Sequence, residues 1–243
     1  MTGRRLLIVN ADDLGMGPEV DAGILRAHDE GIVTSASLMV HGSSVAEGTR
    51  GALQRPRLGL GLHVDLGEWA LRAGTWHRVR GTVDLDDLEA VCAEVEAQVA
   101  RFRRLTGRDP DHLDSHQHVH RDEPVRTAMR AIAAWLGVPL RHEGPTRYCG
   151  AFYGQGRRGE TLPAAISAAA LAALLGDLRP GATELCCHPA AAPPETSAYA
   201  EERVAELRAL CDPAAAAAVR RAGVRLVRFG DLAPSWTAPL AAA

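Results

Sequence analysis

Apolar and polar residues follow two rhythms along this chain, one typical of buried strands and the other of amphipathic helices. The first apolar segment, Leu6–Val9, has no polar member, as in a strand covered on both faces in a parallel sheet. The segment from about Asp86 to Arg104 repeats its apolar residues close to the helical period. The pattern predicts strands at Leu6–Val9, Val33–Val40, Leu58–His63, Asp111–Ser115, Val138–Arg141, Thr183–Cys187 and Val224–Phe229.

Helices are predicted between these strands, and two long stretches are predicted to be loops. One loop carries Trp69 and Trp76, and the other, Gly144–Leu162, carries Tyr148. Because strands and helices alternate without a low-complexity linker, one α/β domain is expected over residues 1–243, with a flexible tail after about residue 234. The helices are expected at about Pro18–Ala27, Ser43–Leu53, Asp86–Arg104, Glu123–Leu136, an Ala-rich stretch ending near Leu175, Ala200–Leu210 and Pro213–Ala222.

The polar residues that follow the strands distinguish between two α/β architectures. An open doubly wound sheet would need a Gly-rich phosphate turn after its first strand, but Asp12 and Asp13 stand there and would repel a phosphate. A β/α barrel instead collects its active-site residues at the carboxyl ends of its strands. The sequence therefore predicts an irregular (β/α) barrel, TIM-barrel-like with about seven strands. The polar residues at these ends are Asp12, Asp13, His63, His116, Arg141 and His188.

Composition limits the partners and the compartment. A net charge of −3, with no basic stripe, gives no attraction to nucleic acid or to an anionic membrane. No run approaches the ~18 apolar residues of a membrane span. The five cysteines are odd in number and have no C-x-x-C spacing, which argues against a disulfide framework and a zinc ribbon. We therefore expect a cytoplasmic protein that acts on a small or neutral molecule.

Candidate metal chemistry centres on the heptapeptide Asp114–His120, which carries a carboxylate and three imidazoles at alternating positions. In an extended segment all four side chains would face one side. Asp13, His63 and His116 fall at the same predicted barrel end. Two imidazoles and one carboxylate, with positions left for water, form the ligand set of a catalytic metal site. Asp114 is expected to orient a ligand histidine through a hydrogen bond.

Other polar residues suit acid–base roles. Asp12 is left free as a base, and His188 is suited to protonating a leaving amine. Thiol catalysis is disfavoured because Cys187 and His188 are adjacent on a strand and point to opposite faces. Simpler interpretations stay open for each group: an acidic cluster at a helix start, a core or strand-end histidine, and loop aromatics that only pack together.

Five motifs occur in an order that resembles the YdjC-like carbohydrate deacetylases, a family that includes the chitooligosaccharide deacetylases. Together they extend over nearly the whole chain, from Leu6 to Leu232, and it is their combination that is specific. The motifs are Asn10–Gly15, Gly61–His63, His112–His120, Glu184–Pro189, and Tyr199–Leu207 before Cys211–Pro213. One departure is the short Ala190–Pro194 segment, where the family tends to have Gly and an extended acidic segment.

The resemblance implies a metal-dependent hydrolase that removes N-acetyl groups from an amino sugar or a related conjugate, with a homodimer as the implied assembly. Asp12 would be the general base, and His188 would protonate the leaving amine. Asp13, His63 and His116 would bind one divalent ion. This ligand set suits zinc better than magnesium, although the resemblance also implies Mg²⁺. Residues expected in supporting or substrate-side positions are Asp114, His118, His120, Arg141, Trp69, Trp76 and Tyr148.

Two other functions remain open at this point. A metal-dependent phosphoesterase would use two ions about 4 Å apart at a His-rich barrel end, so the number of ions per chain would identify it. A non-catalytic sugar- or metal-binding protein would release no acetate from acetylated sugars. The presence of Asp12, Asp13 and His188 counts against this last alternative.

Overall fold

The computed structural model describes residues 3–156, 158–195 and 197–235. The predicted flexible tail falls, from residue 236 onward, outside these described residues. The strands are β1 (Arg5–Leu14), β2 (Ser35–Leu38), β3 (Gly59–Val64), β4 (Gly67–Arg72), β5 (Thr75–Gly81), β6 (Leu113–Ser115), β7 (Arg147–Cys149), β8 (Gly181–Cys187) and β9 (Val224–Leu226). The α-helices are α1 (Pro18–Asp29), α2 (Val45–Leu53), α3 (Leu88–Thr106), α4 (Val125–Leu136), α5 (Ala168–Gly176), α6 (Glu201–Leu210) and α7 (Pro213–Arg221).

Seven strands form one curled parallel sheet, which confirms the predicted α/β fold as a half-barrel. Its order is β6-β3-β2-β1-β8-β7, and β9 pairs with the first residues of β1. Strand β1 is central and its apolar residues are buried on both sides, as its uniform sequence predicts. Helix α3 turns Val91, Val95, Val99 and Phe102 inward, each at most 1% exposed. Full burial of such side chains stabilises the fold by roughly 1.5–3 kcal/mol each.

Close packing explains why glycine alternates with leucine in β3. A Cβ atom added at Gly61 would lie 2.3 Å from the His112 ring, and one at Gly59 would lie 2.5 Å from the Ser35 hydroxyl. The leucines between them, Leu60 and Leu62, are buried in the core. The small residues therefore let neighbouring polar side chains cross the face of the strand.

Three local predictions were wrong. The predicted loop that carries Trp69 and Trp76 is an antiparallel hairpin, formed by β4 and β5. The predicted strand Val138–Arg141 contributes only one isolated parallel bridge, from Leu140 to Leu113. The strand on the opposite sheet edge is instead β7, which lies within the predicted loop Gly144–Leu162.

Two further findings concern the whole described chain. None of its helices, within the described residues, combines the length and the apolar character that a bilayer crossing would need. The five cysteines are free thiols.

Candidate functional site

A bulge in β1 separates the two adjacent aspartates at its carboxyl end. The register of β1 against β2 shifts between Ala11 and Leu14, so Asp12 and Asp13 lie in the irregular part of the strand. Asp13 has a φ of 73°, in the left-handed region that non-glycine residues rarely adopt. This conformation costs of order 1–3 kcal/mol and occurs preferentially at functional sites. It sends the two carboxylates in different directions.

Asp13 meets two histidines that come from other strand ends. Its Oδ1 lies 3.2 Å from His63 Nε2 and 3.2 Å from His116 Nδ1. His63 belongs to β3, and His116 is the first residue after β6. The three side chains are buried, and their ligand atoms lie within 4.8 Å of one another. Residues distant in sequence therefore form one compact donor cluster.

A further carboxylate fixes the ring orientation of each histidine. His63 Nδ1 lies 2.7 Å from Asp114, so its Nε2 faces Asp13. His116 Nε2 lies 2.8 Å from Glu68 of β4, so its Nδ1 faces Asp13. Carboxylates orient metal-binding imidazoles in this way in many metalloproteins. Each ring thus presents a defined nitrogen to the shared space beside Asp13.

The carboxylates around His63 and His116 give this cluster an excess of negative charge, which favours a bound proton or cation. Burial would lower the pKa of His116, but the carboxylates of Asp13 and Glu68 raise it to about 9. Burial likewise opposes the shift at His63, yet Asp114 holds its pKa well above the ordinary value. Protons therefore occupy the sites at which a divalent cation would bind instead. One carboxylate and two oriented imidazoles fit such an ion.

Arg203 of α6 contacts the other oxygen of Asp13. Its Nη2 donates to Oδ2 over 2.5 Å. Burial would raise the pKa of Asp13, but Arg203 and the two histidines lower it well below the ordinary value. Asp13 is therefore ionised, with one oxygen held by Arg203 and the other directed at the imidazoles.

Asp12 belongs to a second network, which is built around Arg141. The guanidinium donates to both Asp12 oxygens, over 2.6 and 2.7 Å. It also contacts Asp114 at 2.8 Å and Glu184 at 2.6 Å. Burial would raise the pKa of Asp12, but the charge of Arg141 overrides it and holds this pKa far below the ordinary value. Asp12 is therefore ionised over the whole physiological pH range.

His188, directly after β8, faces Asp12 across a small gap. Its Nε2 lies 3.9 Å from Asp12 Oδ2, and its Nδ1 lies 3.9 Å from Glu206 of α6. Glu206 also accepts the His188 backbone N–H and a bond from Tyr199. Burial lowers the pKa of His188 to about 4 and raises that of Glu206 to about 8. At neutral pH this pair therefore retains one proton, which resides mainly on Glu206.

His118 and His120 turn away from the donor cluster because the heptapeptide does not stay extended. His116–Arg121 forms a 3₁₀ turn, in which Gln117 and His118 have φ values of 51° and 57°. Both ring nitrogens of His120 are engaged, with Ser115 and with the Arg141 carbonyl. His118 Nε2 contacts the Tyr148 hydroxyl at 3.1 Å. Neither histidine joins Asp13, His63 and His116.

A cavity of about 1180 Å³ opens above these groups. The hairpin β4–β5 lines one side of it with Trp69, Leu71 and Trp76. Trp76 is 52% exposed, which leaves an apolar ring face at the mouth. Tyr148 and Phe152 line the cavity from the chain that follows α4. The predicted substrate-side aromatics Trp69, Trp76 and Tyr148 therefore all reach this space.

The residues that sequence reasoning missed come from outside the strand ends. Glu68 lay in a stretch predicted to be a loop, and Arg203 and Glu206 lay in a predicted helix with no sign that they face inward. For Arg203 and Glu206 the one signal was the Tyr199–Leu207 motif, which contributed to the family resemblance without a role for its charged members. Cys186, whose thiol donates to Asp12 over 3.3 Å, was given no role of its own, because thiol catalysis was considered only for Cys187 and His188.

Comparison with known proteins gives consistent matches over most of the chain. The family model described as YdjC-like protein matches residues 6–221. A chitooligosaccharide deacetylase from Serratia marcescens is 32% identical over 260 residues, which cover 94% of this chain and 99% of that protein. Another, from Enterobacter sp. (strain 638), is also 32% identical, with the same coverage.

Solved structures share the fold. A candidate cellobiose-phosphate cleavage protein from Enterococcus faecalis V583 has a TM-score of 0.76 and 26% identity, over 94% of this chain and 99% of that one. A CE4 esterase from Streptococcus mutans has a TM-score of 0.60 at 13% identity, over 93% and 86% of the two chains. The second likeness concerns the fold alone.

Proposed function

The chain belongs to the YdjC-like family, whose model covers residues 6–221, and from that premise we propose that it is a metal-dependent carbohydrate N-deacetylase. The observation that carries the proposal is the convergence of Asp13, His63 and His116 beside Asp12 and His188, in one cavity. Relatives named chitooligosaccharide deacetylases support an N-acetylated amino sugar, or a related conjugate, as the substrate. The reaction is hydrolysis of an acetamide to acetate and a free amine.

The donor cluster would hold a divalent ion, with zinc and magnesium as the candidates. Such an ion, when bound, polarises the acetyl carbonyl and acidifies a water molecule, so that a weakly basic carboxylate suffices as proton acceptor. Asp13 would contribute one oxygen, His63 its Nε2 and His116 its Nδ1. Asp114, Glu68 and Arg203 would keep these three ligands in position.

Asp12 is the proposed proton acceptor. It is ionised at neutral pH because Arg141 lowers its pKa, and the same two hydrogen bonds fix its orientation. Its Oδ2 is the oxygen nearest to His188. Arg141 reduces the basicity of Asp12 and at the same time ensures that it begins each cycle without a proton.

His188 and Glu206 together are the proposed proton donor. At neutral pH the proton of this pair resides on Glu206, and its transfer to His188 Nδ1 produces an imidazolium. The imidazolium can then donate from Nε2 to the departing nitrogen. The proton that Glu206 stores offsets the low pKa of His188, which alone would leave the imidazole neutral.

Acetate release is the direct test. Metal-free protein is incubated with a panel of N-acetylglucosamine oligomers and with Zn²⁺, Mg²⁺, Co²⁺ or Ni²⁺, and acetate is measured. We expect turnover with at least one ion and none in chelator. A protein that binds an ion and the oligomers but releases no acetate with any of the four would contradict the proposal.

The Asp12→Asn variant tests the role of Asp12 as base separately from metal binding. This variant should still bind an ion at Asp13, His63 and His116 and lose roughly 10²–10⁴-fold in kcat. Asp13→Asn is the matched control, because it should lose both the ion at that cluster and the activity. Near-wild-type activity of Asp12→Asn would transfer the role of base to another group, such as the neutral imidazole of His188.

A further inference from the structure

A second donor cluster lies beside the first and contains a thiol. The Cys186 Sγ lies 3.3 Å from Asp12 Oδ2 and 3.9 Å from His188 Nε2. The remaining distance, from His188 Nε2 to Asp12 Oδ2, is also 3.9 Å. All three side chains line the cavity, and their three donor atoms lie within 4.8 Å of one another. The proposed chemistry uses Asp12 and His188 and has no role for Cys186.

The mixed donor set has a defined chemical preference. A thiol sulfur with one imidazole and one carboxylate is a ligand set for zinc and for softer divalent ions, whereas magnesium requires oxygen ligands. The thiol hydrogen is directed at Asp12 Oδ2, so a cation that replaces this hydrogen would contact both sulfur and oxygen. Sulfur and oxygen are therefore already arranged about one point.

The surroundings of His188 support the same conclusion. Among the described residues its Nδ1 has no hydrogen-bond partner, although a Glu206 oxygen lies 3.9 Å away. If Nε2 bound a cation, Nδ1 would carry the ring proton and would face this Glu206 oxygen. This carboxylate–histidine–metal order is the usual arrangement around metal-binding imidazoles.

The charge around Asp12 does not exclude a cation despite the presence of Arg141. The guanidinium is shared among three carboxylates, those of Asp12, Asp114 and Glu184. Arg141 Nη1 and the Cys186 thiol both donate to Asp12 Oδ2, which as a carboxylate oxygen accepts more than one donor. The single positive charge of Arg141 is therefore divided among three acidic groups and is not held by Asp12 alone.

The geometry points to an inhibitory site for a soft divalent cation, zinc or cadmium, at Asp12, Cys186 and His188. Binding forms a metal–sulfur bond and releases the Cys186 thiol proton to solvent, without electron transfer. The ion would bind the proposed base and the proposed acid at once, so the inhibition, unlike the binding, rests on the proposed function. Magnesium would not bind there and would not inhibit.

Cadmium titration of the metal-free full chain tests the binding without any substrate. We expect two equivalents in the wild type, the second accompanied by the ultraviolet charge-transfer absorption of a cadmium–thiolate bond. In Cys186→Ser and Cys186→Ala the absorption should disappear. The affinity for the second equivalent should also fall, by more than the 10- to 100-fold that results from losing a hydrogen-bond partner of a ligand, because a ligand itself is removed. Two variants are used so that a folding defect in one leaves the other informative.

Two matched variants control the titration. Cys187→Ser should behave as wild type, because that neighbouring buried thiol faces the Asn10 carbonyl. Asp13→Asn should lose one equivalent but keep the thiolate absorption, since it removes only the other cluster. A single equivalent in the wild type, or a second equivalent that both Cys186 variants retain unchanged, would overturn the site.

Inhibition is then measured as acetate release by protein that carries one equivalent of zinc. Added zinc or cadmium at tenfold the second dissociation constant should leave about a tenth of wild-type activity by mass action, whereas magnesium should leave it unchanged. Each Cys186 variant, relative to its own rate without added ion, should resist this loss. Equal inhibition of wild type and variants would overturn the inhibitory role. A wild type that shows the second equivalent but releases no acetate would instead refute the proposed function.

Discussion

Glu206 accepts hydrogen bonds from the His188 backbone N–H and from the Tyr199 hydroxyl, and it also decides how many protons the His188–Glu206 pair holds. It is buried on α6, and burial raises its pKa to about 8, whereas the pKa of His188 falls to about 4. Between these two values the pair holds one proton. The proposed donor function is therefore present at neutral pH and is lost as the pH rises through about 8.

Replacing Glu206 by Gln should remove that stored proton but keep an oxygen that can accept the His188 backbone N–H. We expect kcat/KM at neutral pH to fall by roughly 10²-fold. The alkaline fall in the pH profile should also move to lower pH, toward the pKa of His188 alone. The measurement is kcat/KM for acetate release across the pH range.

Glu201→Gln, at the exposed start of the same helix, is the control and should keep the wild-type profile. An unshifted alkaline fall in Glu206→Gln would show that another group carries the donated proton.

Strand ends made several side chains of the site predictable from sequence. Asp12, Asp13, His63 and His188 stand at or just after the carboxyl ends of largely apolar strands, and such ends of parallel strands meet at one edge of a sheet. Arg203 and Glu206 could not be found in this way. A charged residue within a helix normally faces solvent, and the inward face of α6 mixes both charges with Leu207 and Leu210. Only tertiary packing distinguishes that face.

At the scale of elements, the hairpin β4–β5 connects the cavity mouth to a proposed metal ligand. Its outer part presents Trp76 to the cavity, and its first strand supplies Glu68 to His116. Gln117 adds a second connection through bonds with Trp69. The hairpin was predicted as a loop because β5 is exposed along its whole length and therefore has no apolar alternation.

The Glu68 contact predicts an effect of the hairpin on metal affinity. Glu68→Ala should weaken zinc binding by about 10- to 100-fold, because His116 loses the carboxylate that orients it. Glu68→Gln keeps a hydrogen-bond acceptor and should lose less. Calorimetric titration of metal-free protein with zinc measures both. Arg72→Ala, at the far end of the same strand, should bind like wild type, and wild-type affinity in Glu68→Ala would remove Glu68 from the site.

The misplaced fifth strand has a local cause. Pro139 and Arg141 form two backbone hydrogen bonds with Leu113, so this segment does extend the sheet edge. It ends at His142, whose φ of 66° breaks the extended conformation. The next strand, β7, has only three residues, all half-buried, and it pairs with β8 on the opposite edge. Strands this short carry too little pattern to be found from sequence.

At the scale of the molecule, strand order brings the proposed metal donors together. Asp13, His63 and His116 lie far apart in sequence, and β1, β2, β3 and β6 are consecutive neighbours in the sheet. Alternating strands and helices predicted this parallel arrangement. The incomplete closure of the sheet into a barrel was not predictable from sequence. It depends on two local features: Leu140 forms only a one-residue bridge to Leu113, and β9 pairs with the same edge of β1 as β2 does.

A site that joins distant strands should couple metal binding to the stability of the whole fold. An ion that binds only the folded chain, at 100 times its dissociation constant, adds about 2.7 kcal/mol to the free energy of unfolding. For a chain of this size the unfolding midpoint should rise by roughly 5–10 °C. Thermal unfolding in zinc and in chelator measures this shift, which Asp13→Asn should reduce because it removes the site at Asp13, His63 and His116.

The pH dependence of this stabilisation has a definite sign. In the metal-free protein the pKa of His116 is raised to about 9, and that of His63 is also raised. In the unfolded chain both histidines have a pKa of about 6.5. The stability that they contribute is therefore complete below about pH 6.5 and is lost as the pH rises toward 9. Zinc must displace those protons and therefore binds more tightly as the pH rises. The zinc-induced shift should be larger at pH 8 than at pH 6.5, and a shift that shrinks over this range would place the ion elsewhere.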